Sequence, residues 1–272
     1  MQQSNVSKSV DIEALWHDIT EIRKLAPLVH NITNFVVMQQ TANALLAIGA
    51  SPIMTQTYQE LNEIINISNA LVINIGSITE EWMTAMYEAQ QIANACNVPI
   101  ILDPVASGAS KIRTQLAAEL ISNGVTIVRG NASEIMSLIN SGAETKGVDS
   151  LHQSRDAINA AEQIAERYGC SVIISGAEDY IISCNNQSST AYGSPLMTKV
   201  TGMGCTATAI TGAFAAVNCD PHSAAFHSMA TMSIVGSLTA KNCNAPGSFA
   251  VRFIDNLYLL NREMIMQIVH HD

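Results

Sequence analysis

Ala70-Leu71-Val72-Ile73-Asn74-Ile75, then the amphipathic stretch Glu80 to Asn94, then Pro99-Ile100-Ile101-Leu102-Asp103 is the passage that decides the fold. Two short, almost wholly apolar runs flank a segment of helical periodicity. A strand that is apolar on both faces has to be covered on both faces, which calls for a parallel sheet with helices above and below it. The unit repeats outward in both directions. Upstream, Pro52 to Met54 precedes the helical pattern Tyr58 to Ile67; downstream, Lys111 to Ser122 leads to a strand at Val125 to Val128 and a helix at Ala132 to Ile139.

At the N-terminal side, Ile12, Leu15, Trp16, Ile19, Ile22 and Leu25 share one face of a helix predicted from about Asp11 to Leu25 and ended by Pro27. Leu28-Val29-His30 then runs into the polar knot Asn31-Ile32-Thr33-Asn34, followed by a helical pattern from Phe35 to Ile48 closed by Gly49. The second half differs. After a helix near Asp156 to Tyr168, strands are predicted at Ser171 to Ser175, Tyr180 to Ser183 and Ser188 to Tyr192, with Asn185-Asn186 as a turn, which suggests antiparallel strands at one edge. Two long buried helices and a final amphipathic helix from about Phe249 to Val269 complete the chain. The expectation is a single α/β domain over residues 1–272, three-layered α/β/α, with a mostly parallel central sheet and a few antiparallel edge strands.

Composition narrows the function classes. With 48% hydrophobic and 13% charged residues in 272, the chain can bury one substantial core. A net charge of -10 without any lysine or arginine block argues against nucleic acid as a partner. The cysteines at 96, 170, 184, 205, 219 and 243 form no Cys-x-x-Cys pair, and Met1 to Val10 has no apolar leader, so a reducing, cytoplasmic setting is expected. The histidines lack metal spacing, which leaves a structural zinc site unsupported. Gly202 to Cys219 and Pro221 to Ala240 carry no charge and are long enough to span a bilayer. They are dominated by Ala, Thr, Ser and Gly and include Asn218, His222 and His227, so they read as buried helices and not as membrane spans.

Ligands of parallel sheets collect beyond the carboxyl ends of the strands. The polar residues there are Asn31 and Asn34, Met54 with its strand end, Gly76, Asp103, Arg129 with Asn131 and Glu134, and Ser175 with Gly176. Asp103 suits Mg²⁺ or its water shell, and equally a turn or N-cap. Arg129 and Glu134 combine a phosphate-seeking guanidinium with a carboxylate one turn into the next helix, the alternative for Glu134 being a capping box with Asn131. Thr201-Gly202-Met203-Gly204-Cys205 opens directly into a small-residue helix, where free N–H groups and the positive end of the dipole can cradle phosphate. The alternative is a plain strand-to-helix turn with Cys205 as a small buried hydrophobe.

Taken together, His30-Asn31-Ile32-Thr33-Asn34, Gly49-Ala50-Ser51-Pro52-Ile53-Met54, Ile101-Leu102-Asp103-Pro104-Val105, Arg129-Gly130-Asn131-Ala132-Ser133-Glu134, Lys146-Gly147-Val148-Asp149 and Thr198-Lys199-Val200-Thr201-Gly202-Met203-Gly204-Cys205 resemble the hydroxyethylthiazole kinases of the ribokinase-like superfamily. The likeness covers almost the whole chain in the same order. It implies ATP-dependent phosphorylation of the primary alcohol of 4-methyl-5-(2-hydroxyethyl)thiazole in thiamine salvage, with Mg²⁺. It implies thiazole contacts from Met54, Gly202 and Asn34, ATP contacts from Arg129, Ser175 and Gly204, and Mg²⁺ at Asp103 and Glu134, most simply through water. Ser175 stands where the family typically has threonine, and keeps the hydroxyl. Met203 is bulkier than the residue usual there, and pointing inward it would tighten the thiazole pocket.

Cys205 occupies the position of the catalytic aspartate of most ribokinase-like enzymes, where thiazole kinases carry cysteine. It is expected to act as a weak base or a substrate-positioning group, with the helix N-terminus lowering its pKa and the N–H groups of Gly202 to Cys205 forming an anion hole. The resemblance further implies a homotrimer with active sites between subunits. Other readings are a kinase of hydroxymethylpyrimidine or pyridoxal, a covalent enzyme pairing Cys205 with a histidine base such as His30, and a non-catalytic thiazole or nucleotide carrier.

Overall fold

The computed structural model describes residues 10–139 and 153–270. The block Lys146-Gly147-Val148-Asp149 lies outside them. In chain order the elements are α1 (Ile12–Leu25), β1 (Leu28–Ile32), α2 (Met38–Ile48), β2 (Ser51–Met54), α3 (Leu61–Ile67), β3 (Ala70–Asn74), α4 (Glu80–Ala95), β4 (Ile100–Asp103), α5 (Lys111–Ser122), β5 (Ile127–Asn131), α6 (Ala132–Ile139), α7 (Gln153–Tyr168), β6 (Ser171–Ser175), β7 (Asp179–Ile182), β8 (Gln187–Thr190), α8 (Met203–Ala215), α9 (Pro221–Ala240), α10 (Pro246–Leu259) and α11 (Arg262–Val269). Short 3₁₀ turns occupy Tyr58–Glu60 and Pro195–Lys199.

The sheet has eight strands in the order β2-β1-β3-β4-β5-β6-β7-β8. Pairings from β2 through β6 are parallel, and β6-β7 and β7-β8 are antiparallel. Successive side chains point to opposite faces, and the core divides accordingly. Ala70 and Val72 of β3, Ile101 of β4 and Ile173 of β6 pack with α1, α2 and α8 to α11, whereas Leu71, Ile73, Leu102 and Ile174 pack with α3 to α7. The three-layer architecture and the antiparallel edge stand as expected. Helices α8 and α9 are buried along almost their whole length, and among the described residues no helix is long and apolar enough to cross a membrane.

Boundaries differ in instructive ways. Phe35 to Val37 form a turn, and α2 starts at Met38. Arg129 lies within β5, paired with Ile173, and not after the strand. The final helix is two helices. Leu260 adopts φ -52°, ψ 128°, and Asn261 caps α11 by accepting from the Met264 N–H at 2.9 Å. Apolar periodicity runs through this break, because α10 and α11 both bury a face against the same core.

Candidate active site

The carboxyl ends of β1, β3, β4, β5 and β6 meet the N-terminus of α8, and there most of the expected residues converge. Gly202 is the N-cap at φ 82°, a backbone conformation that favours glycine, and a Cβ there would stand 2.7 Å from Cγ1 of Val37. The chain can therefore turn tightly against α2 and enter the helix at once. Gly204 and Cys205 occupy the first turn, where N–H groups have no partner within the helix.

Cys205 is half-buried and its sulfur accepts from Nδ2 of Asn34 at 3.4 Å. The same Nδ2 donates to Oδ1 of Asn74 at 2.9 Å, whose own Nδ2 donates to Oδ2 of Asp103 at 2.8 Å. Thr208, one turn beyond Gly204, donates its hydroxyl to that carboxylate oxygen at 2.8 Å. Burial is the main reason the Asp103 carboxyl is pushed up to about 6; Glu134 raises it further, while Arg129 and the two hydrogen bonds hold it down.

Burial also pushes the Cys205 thiol up to about 11, with the charge of Asp103 adding to it and Asn74, Asn34 and Arg129 opposing. This corrects the expectation that the helix N-terminus makes a thiolate available. The dipole is outweighed by desolvation and by a neighbouring carboxylate. Nor is a histidine base at hand among the described residues. His30 is fully buried and its Nε2, meeting a carbonyl, donates to Thr55 O at 2.9 Å, while the thiol is bonded by Asn34, with Asn74 beside it.

Arg129 reaches from β5 to the other side of the helix start. Its Nη2 donates to the Ser175 hydroxyl at 2.6 Å, and Ser175 in turn donates to Gly130 O at 3.2 Å. Arg129, Ser175 and Gly204 border a cavity of about 610 Å³ that extends past Asp179, Gly193 and Met197 toward Met232. Met203 is buried and lines this cavity too.

Glu134 forms the capping box: it accepts from the Asn131 N–H at 2.8 Å, and Asn131 Oδ1 accepts from the Glu134 N–H at 3.0 Å. Its other carboxylate oxygen accepts from the Ala106 N–H at 2.8 Å. Met54 ends the edge strand β2, in register with Asn31, and is half-buried. Asn74, Thr208 and Asp179 were not singled out by sequence. Asn74 had a signal, being polar at the end of an otherwise apolar strand and in register with Asp103.

Residues 19–263 match the hydroxyethylthiazole kinase family. The hydroxyethylthiazole kinase of Brachyspira hyodysenteriae is 49% identical over 250 residues, covering 92% of this chain and 94% of the relative. That of Leptospira biflexa is 47% identical over 251 residues, with coverage of 92% and 94%. The solved structure of the hydroxyethylthiazole kinase protein from Pyrococcus horikoshii aligns with a TM-score of 0.87 at 37% identity, over 94% of this chain and 96% of that one. Staphylococcus aureus pyridoxal kinase, solved with AMP-PCP and pyridoxal, shares the fold at a TM-score of 0.59 and 17% identity, over 78% of this chain and 88% of that one.

Proposed function

The chain belongs to the hydroxyethylthiazole kinase family, and we propose that its active site is the junction of Arg129, Ser175, Gly204 and Cys205 at the start of α8. The reaction is phosphorylation of the primary alcohol of 4-methyl-5-(2-hydroxyethyl)thiazole by ATP, a step of thiamine salvage. The observation that carries the site assignment is the placement of one guanidinium, one hydroxyl and a helix N-terminus on the wall of a cavity of about 610 Å³, with Cys205 in the same helical turn.

ATP occupies that cavity. Arg129, held by Ser175, and the N–H groups of the first turn of α8 face its phosphates and stabilise charge on the transferring group. Phosphoryl transfer passes through a loose transition state in which the attacking oxygen is little bonded, so positioning counts for more than proton abstraction. A thiol pushed up to about 11 suits that task. Cys205 remains protonated at neutral pH and orients the alcohol. Asn34, Gly202 and Met54 bound the thiazole.

The donor set fits Mg²⁺. Asp103 and Glu134 lie close enough for Glu134 to raise the Asp103 carboxyl, so two carboxylates stand together at the strand ends. Asp103 and Glu134 would hold the ion, one or both of them through water, a mode of binding that Mg²⁺ accepts. Bound there with ATP, it would supply charge neutralisation at the phosphates.

The enzyme acts in the cytoplasm as a homotrimer. Two features support assembly beside the site: β2 has no strand on its outer side among the described residues, and Phe35 and Val36 are 65% and 74% exposed. Incubation with Mg-ATP and hydroxyethylthiazole, with hydroxymethylpyrimidine and pyridoxal in parallel, tests the activity. Mass spectrometry should show thiazole phosphate alone. Thiazole binding without any phosphorylated product overturns the kinase reading in favour of a carrier.

A further inference from the structure

Cys205 does not stand alone in the acceptor half of the site. Asn34, Asn74, Asp103 and Thr208 are each 6% exposed or less, and each is joined to the next by a hydrogen bond. We propose that Asn74, anchored through Asp103 to Thr208, is the positioning residue that holds the Asn34 amide against Cys205 Sγ.

The argument is one of donors and acceptors. An asparagine amide has two orientations that differ by exchange of its oxygen and nitrogen. At Asn74 only one is allowed. The carboxylate of Asp103 demands a donor on one side, and the Gly76 N–H, 2.9 Å from Oδ1, demands an acceptor on the other. Oδ1 of Asn74 is thereby presented to Asn34, which must answer with its NH₂. That same NH₂ lies 3.4 Å from Sγ. A reversed Asn34 would set oxygen against oxygen. The turn after β3 leaves no slack: a Cβ on Gly76 would be 2.7 Å from Nδ2 of Asn34 and 2.9 Å from Oδ1 of Asn74. Thr208 closes the chain by tying the Asp103 carboxylate back to α8, the helix that carries Cys205. A sulfur lone pair engaged by Asn34 fixes which way the thiol can meet an alcohol.

This assignment rests on the kinase reading, and a double-mutant cycle separates the two. In the unmutated background, Asn74→Ala should lower kcat by roughly 20-fold with KM for ATP within about 3-fold; with Cys205→Ala already present, it should lower kcat by no more than about 3-fold, because the thiol that the positioned Asn34 amide engages is gone. The same factor in both backgrounds overturns the proposal. If Asn74→Ala does not fold or Cys205→Ala has no turnover, Thr208 decides. Thr208→Val should cost roughly 5-fold in kcat and Thr208→Ser should restore it to within about 2-fold, since only the hydroxyl is needed. Equal losses in the Val and Ser variants overturn the proposal as well. Absence of thiazole phosphorylation by the unmutated protein would overturn the kinase reading itself, whereas turnover with additive losses overturns only the role of Asn74.

Discussion

The guanidinium of Arg129 lies against the bare Cα of Gly204, where an added Cβ would stand 2.7 Å from Nη1 and 3.3 Å from Nη2. The glycine turn thus does two things. Gly202 makes the turn, and Gly204 leaves room for a cation beside the free N–H groups of the helix.

Gly204→Ala should therefore displace Arg129 without unfolding the protein, because the group that must move is the end of a flexible side chain and alanine favours the helix by up to about 1 kcal/mol. Calorimetric titration with a non-hydrolysable ATP analogue should show affinity at least roughly 10-fold weaker, with an unchanged or raised Tm. Unchanged affinity would remove Arg129 from the ATP contacts.

Asp179 lines the cavity, buried, and that burial pushes its carboxyl up to about 7 although the Gly176 N–H and Arg129 oppose this. A folded-state pKa above the unfolded value near 4 means that the native state binds the proton more tightly, so stability is lost as pH rises from about 4 to about 7. Asp179→Asn keeps an acceptor for Gly176 and has no charge to bury. Its stability relative to the unmutated protein should grow between pH 4 and pH 8, by an amount on the order of 2–4 kcal/mol. Chemical denaturation at the two pH values reads this directly, and a constant difference would contradict it.

With its thiol pushed up to about 11 and half-buried, Cys205 should be alkylated by iodoacetamide far more slowly at pH 7.5 than the exposed Cys96 and Cys219. Peptide mapping by mass spectrometry distinguishes the three. Preferential labelling of Cys205 would restore the thiolate that the helix N-terminus alone suggests.

Val36→Glu places a charge on the most exposed large apolar side chain among the described residues, in the turn between β1 and α2. Light scattering at micromolar concentration should show a trimer for the unmutated protein and a smaller species for the variant, with activity falling in parallel. A fully active monomer of either would overturn the shared-site reading.

Much of the candidate site was legible because of one rule about parallel sheets. Asn34, Asp103, Arg129 and Ser175 lie at or near the carboxyl ends of β1, β4, β5 and β6, so strand positions alone bring together residues more than 100 places apart. Asp179 escaped because it begins an antiparallel strand, to which the rule does not apply. Thr208 escaped because threonines recur through α8 and nothing local marks the one that meets a carboxylate. The division of the last helix was missed for a related reason: periodicity reports which face is buried, and a break that preserves the face leaves the periodicity intact.

By itself the sequence determined the layers, the order of strand and helix, the glycine turn and the residue types at the strand ends, since these follow from side-chain period and from backbone conformations that only some residues tolerate. The tertiary structure alone decided the state of those residues. Whether Cys205 is thiol or thiolate depends on a helix dipole, which is local, set against burial and Asp103, which come from distant parts of the chain, and the non-local contributions prevail. Glu134 likewise is a capping partner by its spacing, but its bond to Ala106 arises only when β4 and β5 are adjacent in the sheet. Charge and hydrogen bonding at a buried site depend on everything packed around it, and packing is settled by the fold.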